Sequence, residues 1–348
     1  MSGERFKNFD SADMRGHIYR FPEQLEEAIE IGRKIQLNRS YSSVRAIGFA
    51  GMGGSAIAGD ILMALTYQSL KIPMFVTRNY SLPSWIRRDT LIILLSYSGD
   101  TEETLSCLDD ALGKRARVAG ITSGGELKKR LNELGADVVS IPPGFPPRAS
   151  LGYLSIPLLY FLRQAGLMSE SMEKLLPGVV EQLKIYRDIF CKADENNRAY
   201  QIANSIHHSI PVIYGEADST AAVALRWRTQ LEENGKMIAF HHILPEMNHN
   251  EIMGYENNPE LLKKISVLWL IDRGNHSRIQ KRQQLTREII GNMAKCQMNV
   301  ESCGETGIER LFYLIYLGDW VSFWAAMLHG TDPSPVAKID RLKLSLSE

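Results

Sequence analysis

The chain has 348 residues, 44% of them hydrophobic and 23% charged, a composition that excludes a disordered or fibrous protein. Its 40 basic and 40 acidic side chains cancel, so the broad field carried by binders of nucleic acid or anionic membrane is missing. The length exceeds what one core usually organises, and two α/β domains are expected, residues 1–150 and 151–348.

Residues 1–10 mix charged and apolar side chains and lack the basic start and continuous apolar run of a secretory signal. Residues 23–36 have helical spacing. Residues 44–50 form a short apolar run that enters the cluster Gly51, Met52, Gly53, Gly54, Ser55, which predicts strand, tight loop and helix. The pattern recurs at residues 90–95, an apolar strand that ends in Ser96, Tyr97, Ser98, Gly99, Asp100 and Thr101 before a helix from Glu102. Strands follow at 117–121 and 138–141. The proline-rich stretch 142–147 cannot continue a helix or a central strand and is expected to be a structured loop at a domain edge.

Beyond it, residues 151–162 and 172–190 are expected to be linking helices. A second α/β series has its strands at 211–214, 237–240, 265–271 and 297–300. Residues 311–328 are strongly apolar but broken by Asp319, which favours a buried helix over a membrane span. Cys107, Cys191, Cys296 and Cys303 lie far apart with no C-x-x-C pair, the pattern of reduced thiols in a cytoplasmic protein. Strands alternating with helices predict doubly wound parallel sheets flanked by helices, with ligands at the carboxyl ends of strands. Both the glycine and the hydroxyl loops fall there.

The glycine cluster bares backbone N–H groups at a helix start, where the helix dipole favours an anion. Its spacing is not G-x-G-x-x-G and no Walker lysine follows, so dinucleotide and P-loop readings lose support. Ser96, Ser98 and Thr101 put three hydroxyls around Gly99, and with Gly53, Gly54 and Ser55 they suit a phosphate. The competing reading is helix capping, because a hydroxyl followed by Glu102 and Glu103 resembles a capping box. Arg148, in the proline-rich loop, is either a guanidinium held for an oxyanion or an ordinary solvated arginine. Glu232 and Glu233 stand at a helix end with Gly235 as the stop signal. His249 lies in the polar segment 244–251, between asparagines that can orient it. His241 and His242 are expected to be strand residues, because no cysteine or carboxylate stands at the spacing of a zinc motif.

Taken in order, Gly-Met-Gly-Gly-Ser at 51–55, Ser-Tyr-Ser-Gly-Asp-Thr at 96–101, Pro-Arg at 147–148, Glu-Asn-Gly-Lys at 233–236 and Asn-His-Asn-Glu at 248–251 resemble the bifunctional phosphoglucose/phosphomannose isomerases. The resemblance extends to the tail Asp332, Pro333, Ser334, Pro335 with Lys343. It implies two sugar-isomerase (SIS) domains, a homodimer, no metal, no cofactor, and interconversion of glucose 6-phosphate, mannose 6-phosphate and fructose 6-phosphate. It also implies that Ser55, Ser96, Ser98 and Thr101 bind phosphate. Glu233 rather than Glu232 would move the proton, because the family base stands directly before an Asn-x-Lys element. Arg148 would stabilise the cis-enediol, and His249, reaching in from the neighbouring subunit, would open the sugar ring with Lys343, for which Lys338 is a competitor. Asp100 stands where many relatives have asparagine, and its carboxylate would repel a phosphate unless turned away. A sugar-phosphate-binding regulator would use the same loops, but the first fifty residues hold one helix and no basic cluster for a DNA-reading head. An isomerase of another sugar phosphate would share both the loops and the base.

Overall fold

The computed structural model describes residues 9–70, 72–168 and 172–346, so most of the polar start lies outside the described residues. In chain order come helices α1 (Met14–Tyr19) and α2 (Phe21–Arg33), strand β1 (Ala46–Gly51), α3 (Gly53–Thr66), β2 (Met74–Thr77), β3 (Thr90–Leu95), α4 (Glu102–Gly113), β4 (Arg117–Thr122), α5 (Gly125–Glu133) and β5 (Asp137–Ser140). Then follow α6 (Leu151–Gln164), α7 (Leu176–Phe190), α8 (Arg198–Ile206), β6 (Ile210–Glu216), α9 (Ala221–Glu233), β7 (Phe240–Leu244), α10 (Pro259–Leu262), β8 (Ile265–Ile271), α11 (Ser277–Ile290), β9 (Cys296–Glu301), α12 (Gly307–His329) and α13 (Ala337–Leu346).

Two compact units result. One comprises residues 20–183 with 304–309, the other residues 1–19, 184–303 and 310–348. The two sheets fall on either side of residue 150, while α6 groups with the first sheet. That sheet is wholly parallel, in the order β2-β1-β3-β4-β5, with β1 in register from Ala46 opposite Thr90 to Gly51 opposite Leu95. Every residue of β3 is buried, as a central strand covered on both faces requires. The second sheet is also parallel, in the order β7-β6-β8-β9. In both, the chain goes from its first strand to one side and then places the later strands, three in the first sheet and two in the second, on the other. That reversal opens a crevice at the carboxyl ends of the two central strands; in the first unit it lies between β1 and β3.

Most predicted strands form within a residue or two. Residues 237–240 are the exception, since β7 starts at Phe240, where the prediction ends. Lys236 adopts a left-handed conformation with φ 52° after α9, and the chain joins the ladder only where Phe240 pairs with Val212. β2, whose Met-Phe-Val run is only three residues long and half-buried, lies outside the predicted strands.

The apolar segment around Asp319 is the buried helix α12, with 94% of its most apolar window covered. Asp319 takes a forked pair of hydrogen bonds from Arg226 of α9, at 3.0 Å from Nε and 2.7 Å from Nη2, and a third from Gln230 at 2.9 Å. Trp227 Nε1 donates to the Leu314 carbonyl at 2.8 Å. Asn234 Nδ2, one residue past α9, donates to Ser322 Oγ at 3.0 Å. These bonds fix α9 along α12 and so fix the position of its last residue, Glu233.

Candidate active site

In the first unit, two loops meet at the β1/β3 crevice. The first runs from Gly51 into α3, whose N-cap, Met52, makes no side-chain cap bond. The Gly53 and Gly54 N–H groups, the first of the helix, have no partner among the described residues. The second runs from Ser96 to Thr101 into α4. The anticipated capping box does not form there: Thr101 is the N-cap but makes no cap bond. Its Oγ1 lies 2.9 Å from Ser96 Oγ instead, and Ser96 Oγ accepts the Gly99 N–H at 3.0 Å. Ser98 Oγ accepts the Asp100 N–H at 3.2 Å. The Tyr97 N–H donates to Ser55 Oγ at 3.3 Å, tying the loops together. Two helix N-termini thus present uncapped N–H groups with serine and threonine hydroxyls between them, donors of the kind that suit an anion. Gly99 is obligatory, having φ 82° and a position where a Cβ would stand 1.9 Å from the Gly124 carbonyl oxygen.

Asp100 does not face this site as a free charge. Its Oδ1 accepts the Glu126 N–H at 2.8 Å, in the first turn of α5, so the carboxylate is turned to a helix N-terminus that favours it.

Arg148 is buried, 5% exposed, in a single 3₁₀ turn, Pro147–Ala149; the alternative of an ordinary solvated arginine is excluded. The turn is held from two sides by residues that sequence reasoning missed. Gln24 Nε2 donates to the Ala149 carbonyl at 2.8 Å while its Oε1 accepts the Gly152 N–H at 2.8 Å. Tyr97 donates its hydroxyl to the Pro142 carbonyl at 2.9 Å and accepts the Phe145 N–H at 2.8 Å. Burial pushes the Tyr97 phenol above its ordinary pKa, keeping it a donor. The turn also lies against α3, because a Cβ on Gly54 would come within 3.1 Å of the Pro147 carbonyl oxygen and 3.4 Å of Arg148 Cα. Thus Gly53, Gly54, Ser55, Ser96, Ser98, Thr101 and Arg148 belong to one constellation in one unit.

The second unit holds the remaining predicted residues. Glu232 and Glu233 line a cavity of about 590 Å³ together with Lys236, Ile238, Val336 and Lys338. Burial pushes the Glu232 carboxyl up, Arg228 at 3.9 Å pulls it back, and the neighbouring Glu233 charge raises it again. Lys236, though exposed, donates to the Glu233 carbonyl and, at 3.1 Å, to the Pro333 carbonyl. Lys343 lies further along α13 and is exposed; it is Lys338 that shares the cavity with Glu233.

His249 ends a 3₁₀ turn, Glu246–His249, and is exposed. Its flanks are pinned. Asn248 Nδ2 donates to Thr286 Oγ1 at 2.7 Å, and Asn250 Nδ2 to Glu246 Oε1 at 2.8 Å. Glu251 accepts the Tyr214 hydroxyl at 2.6 Å and pairs with Nδ1 of His242 on β7. His241 and His242 are strand residues, as expected, but His242 also buttresses the segment that presents His249.

Two parallel sheets flanked by helices place the protein in the SIS-type α/β class. Residues 195–346 match the bacterial phospho-glucose isomerase C-terminal SIS domain. The chain is 38% identical to a bifunctional phosphoglucose/phosphomannose isomerase of Caldicellulosiruptor bescii over 95% of its own length and 98% of that protein's. It is 37% identical to one from Aquifex aeolicus over 87% and 91%. A hypothetical protein from Thermus thermophilus superimposes with a TM-score of 0.74 at 15% identity, covering 99% of this chain and 93% of that one; this likeness is one of fold. The chain belongs to the bifunctional phosphoglucose/phosphomannose isomerase family.

Proposed function

We propose that this protein is an aldose-ketose isomerase that interconverts fructose 6-phosphate with glucose 6-phosphate and mannose 6-phosphate, without metal or cofactor. The observation that carries the reading is the pair of uncapped helix N-termini, joined by Ser55, Ser96, Ser98 and Thr101, beside the buried Arg148. It supports binding of a phosphate dianion, and the names of the relatives supply the sugar.

In this reading Glu233 removes the C2 proton of the open-chain aldose. The C2–H electron pair becomes the C1–C2 double bond as the carbonyl oxygen is protonated, giving a cis-enediol. Return of the proton to C1 and loss of the O2 proton gives the ketose. Arg148 stabilises the negative charge that develops on the oxygens, without which a C2 proton is too weakly acidic for a carboxylate. His249 and Lys343 open the ring. Lys338 is a second choice for the lysine, favoured by its place in the cavity with Glu233; substituting each separately tells which one ring opening requires.

A homodimer with His249 contributed across the interface is part of the proposal. Two features support it: the exposure of the His249 ring, and α13, which buries no side chain and exposes Leu342, Leu344 and Leu346 by 60–65%. Four free thiols support a cytoplasmic location. The test is a coupled assay of chelator-treated protein with fructose 6-phosphate, scoring both aldose products. Formation of both is expected. Glucose 6-phosphate alone would remove the dual specificity, and no turnover by a folded protein would remove the isomerase reading.

A further inference from the structure

Outside every residue given a role above, three histidines converge in the second unit. His207 and His208 form the connection from α8 to β6, and His329 is the last residue of α12. The ring centroid of His207 lies 3.8 Å from that of His208 and 4.3 Å from that of His329. One ring nitrogen from each of the three can be chosen so that all lie within 4.8 Å of one another.

Three observations set this cluster apart from a chance grouping. His208 adopts φ 56°, a left-handed conformation unfavourable for a non-glycine residue; with it, two successive rings stand side by side instead of pointing apart. His207 Nδ1 and His329 Nε2 are both buried with no hydrogen-bond partner, an arrangement that is unfavourable unless a ligand meets them. The nearby cation does not satisfy them, because Lys295 Nζ is spent on the Ser205 and His207 carbonyls at 3.1 and 2.6 Å.

We propose that His207, His208 and His329 form a binding site for a divalent transition-metal ion of the zinc type, with a water as the fourth ligand on the exposed His208 side. Imidazole nitrogens are the natural ligands of such ions. Zinc–nitrogen distances of about 2.0–2.1 Å put tetrahedral ligand atoms about 3.3 Å apart, so side-chain rotations closing a gap on the order of an ångström complete the site. His329 ends a helix of 23 residues, whose carbonyl end favours a cation. Burial pushes His207 and His329 below the ordinary histidine pKa, with the neighbouring rings adding to the effect. The site is separate from the proposed isomerase chemistry, which needs no metal.

The test uses the untagged full-length protein, stripped with chelator and titrated with zinc by calorimetry and with cobalt(II) by visible absorption. The expected result is about one equivalent bound per chain, with the intense absorption of tetrahedral cobalt, and a weakening in His208→Ala and in His329→Gln of at least the roughly 10- to 100-fold that loss of an outer-shell partner alone brings. His276→Gln is expected to bind as the parent does. Because the His208 ring is exposed, His208→Ala keeps the test independent of folding, which circular dichroism checks. Absence of saturable binding, or binding unchanged in both His208→Ala and His329→Gln, would overturn the proposal.

Discussion

Asp319→Ala removes the acceptor of three hydrogen bonds, two from Arg226 and one from Gln230. The Arg226 side chain is only 2% exposed, so its guanidinium is left charged and without water. Breaking a buried pair in this way costs about 3–5 kcal/mol. Burial pushes the Asp319 carboxyl above its ordinary pKa even though Arg226 and Gln230 pull it down, and taking two charges out of water is costly. An apolar replacement of both partners should therefore recover most of the loss, and Arg226→Met with Asp319→Leu is the matching variant. The assay is urea unfolding followed by the fluorescence of Trp227 and Trp320, both buried in the same unit. A single variant that loses less than about 1 kcal/mol, or a double variant no better than the single, would refute the reasoning.

Asp100→Asn weakens the contact to the Glu126 N–H and is expected to lower stability by up to about 1 kcal/mol while leaving KM for fructose 6-phosphate within about twofold, because the carboxylate already faces α5; a large fall in KM would mean that it repels the phosphate after all. Gly54→Ala forces its Cβ to 3.1 Å from the Pro147 carbonyl oxygen and should cost about 1–3 kcal/mol of overpacking, with a raised KM as the Arg148 turn shifts; steady-state kinetics and thermal melting read both. Burial, with Asp110 and Glu103 adding, pushes the Cys107 thiol up to about 11, so its thiolate fraction at pH 8 is on the order of one in a thousand. Iodoacetamide at that pH should leave Cys107 unmodified in the native protein, and labelling as fast as after unfolding would count against its burial.

The sequence carries the phosphate loops openly, because glycines and hydroxyls at strand ends have few other uses in that density, and the strand order then makes the crevice inevitable. What it hides is set by contacts distant along the chain. Nothing local to Arg148 shows that Gln24 and Tyr97, 124 and 51 residues away, clamp its turn into the interior. The direction of Asp100 is likewise decided by a helix that starts 25 residues later. At Thr101 the local pattern misleads, since a capping box is written in the sequence but the hydroxyl pairs with Ser96. The His207, His208 and His329 cluster joins segments more than 120 residues apart, a separation over which no spacing motif operates.

The proposed mechanism rests on Glu233 as the base. Turnover of fructose 6-phosphate by Glu233→Gln and by Glu232→Gln, each alongside calorimetric binding of the same sugar phosphate, tests it directly. Glu233→Gln is expected to lose about 10²- to 10⁴-fold in kcat with binding nearly unchanged, while Glu232→Gln stays active. The reverse pattern, or full activity in Glu233→Gln, would contradict it.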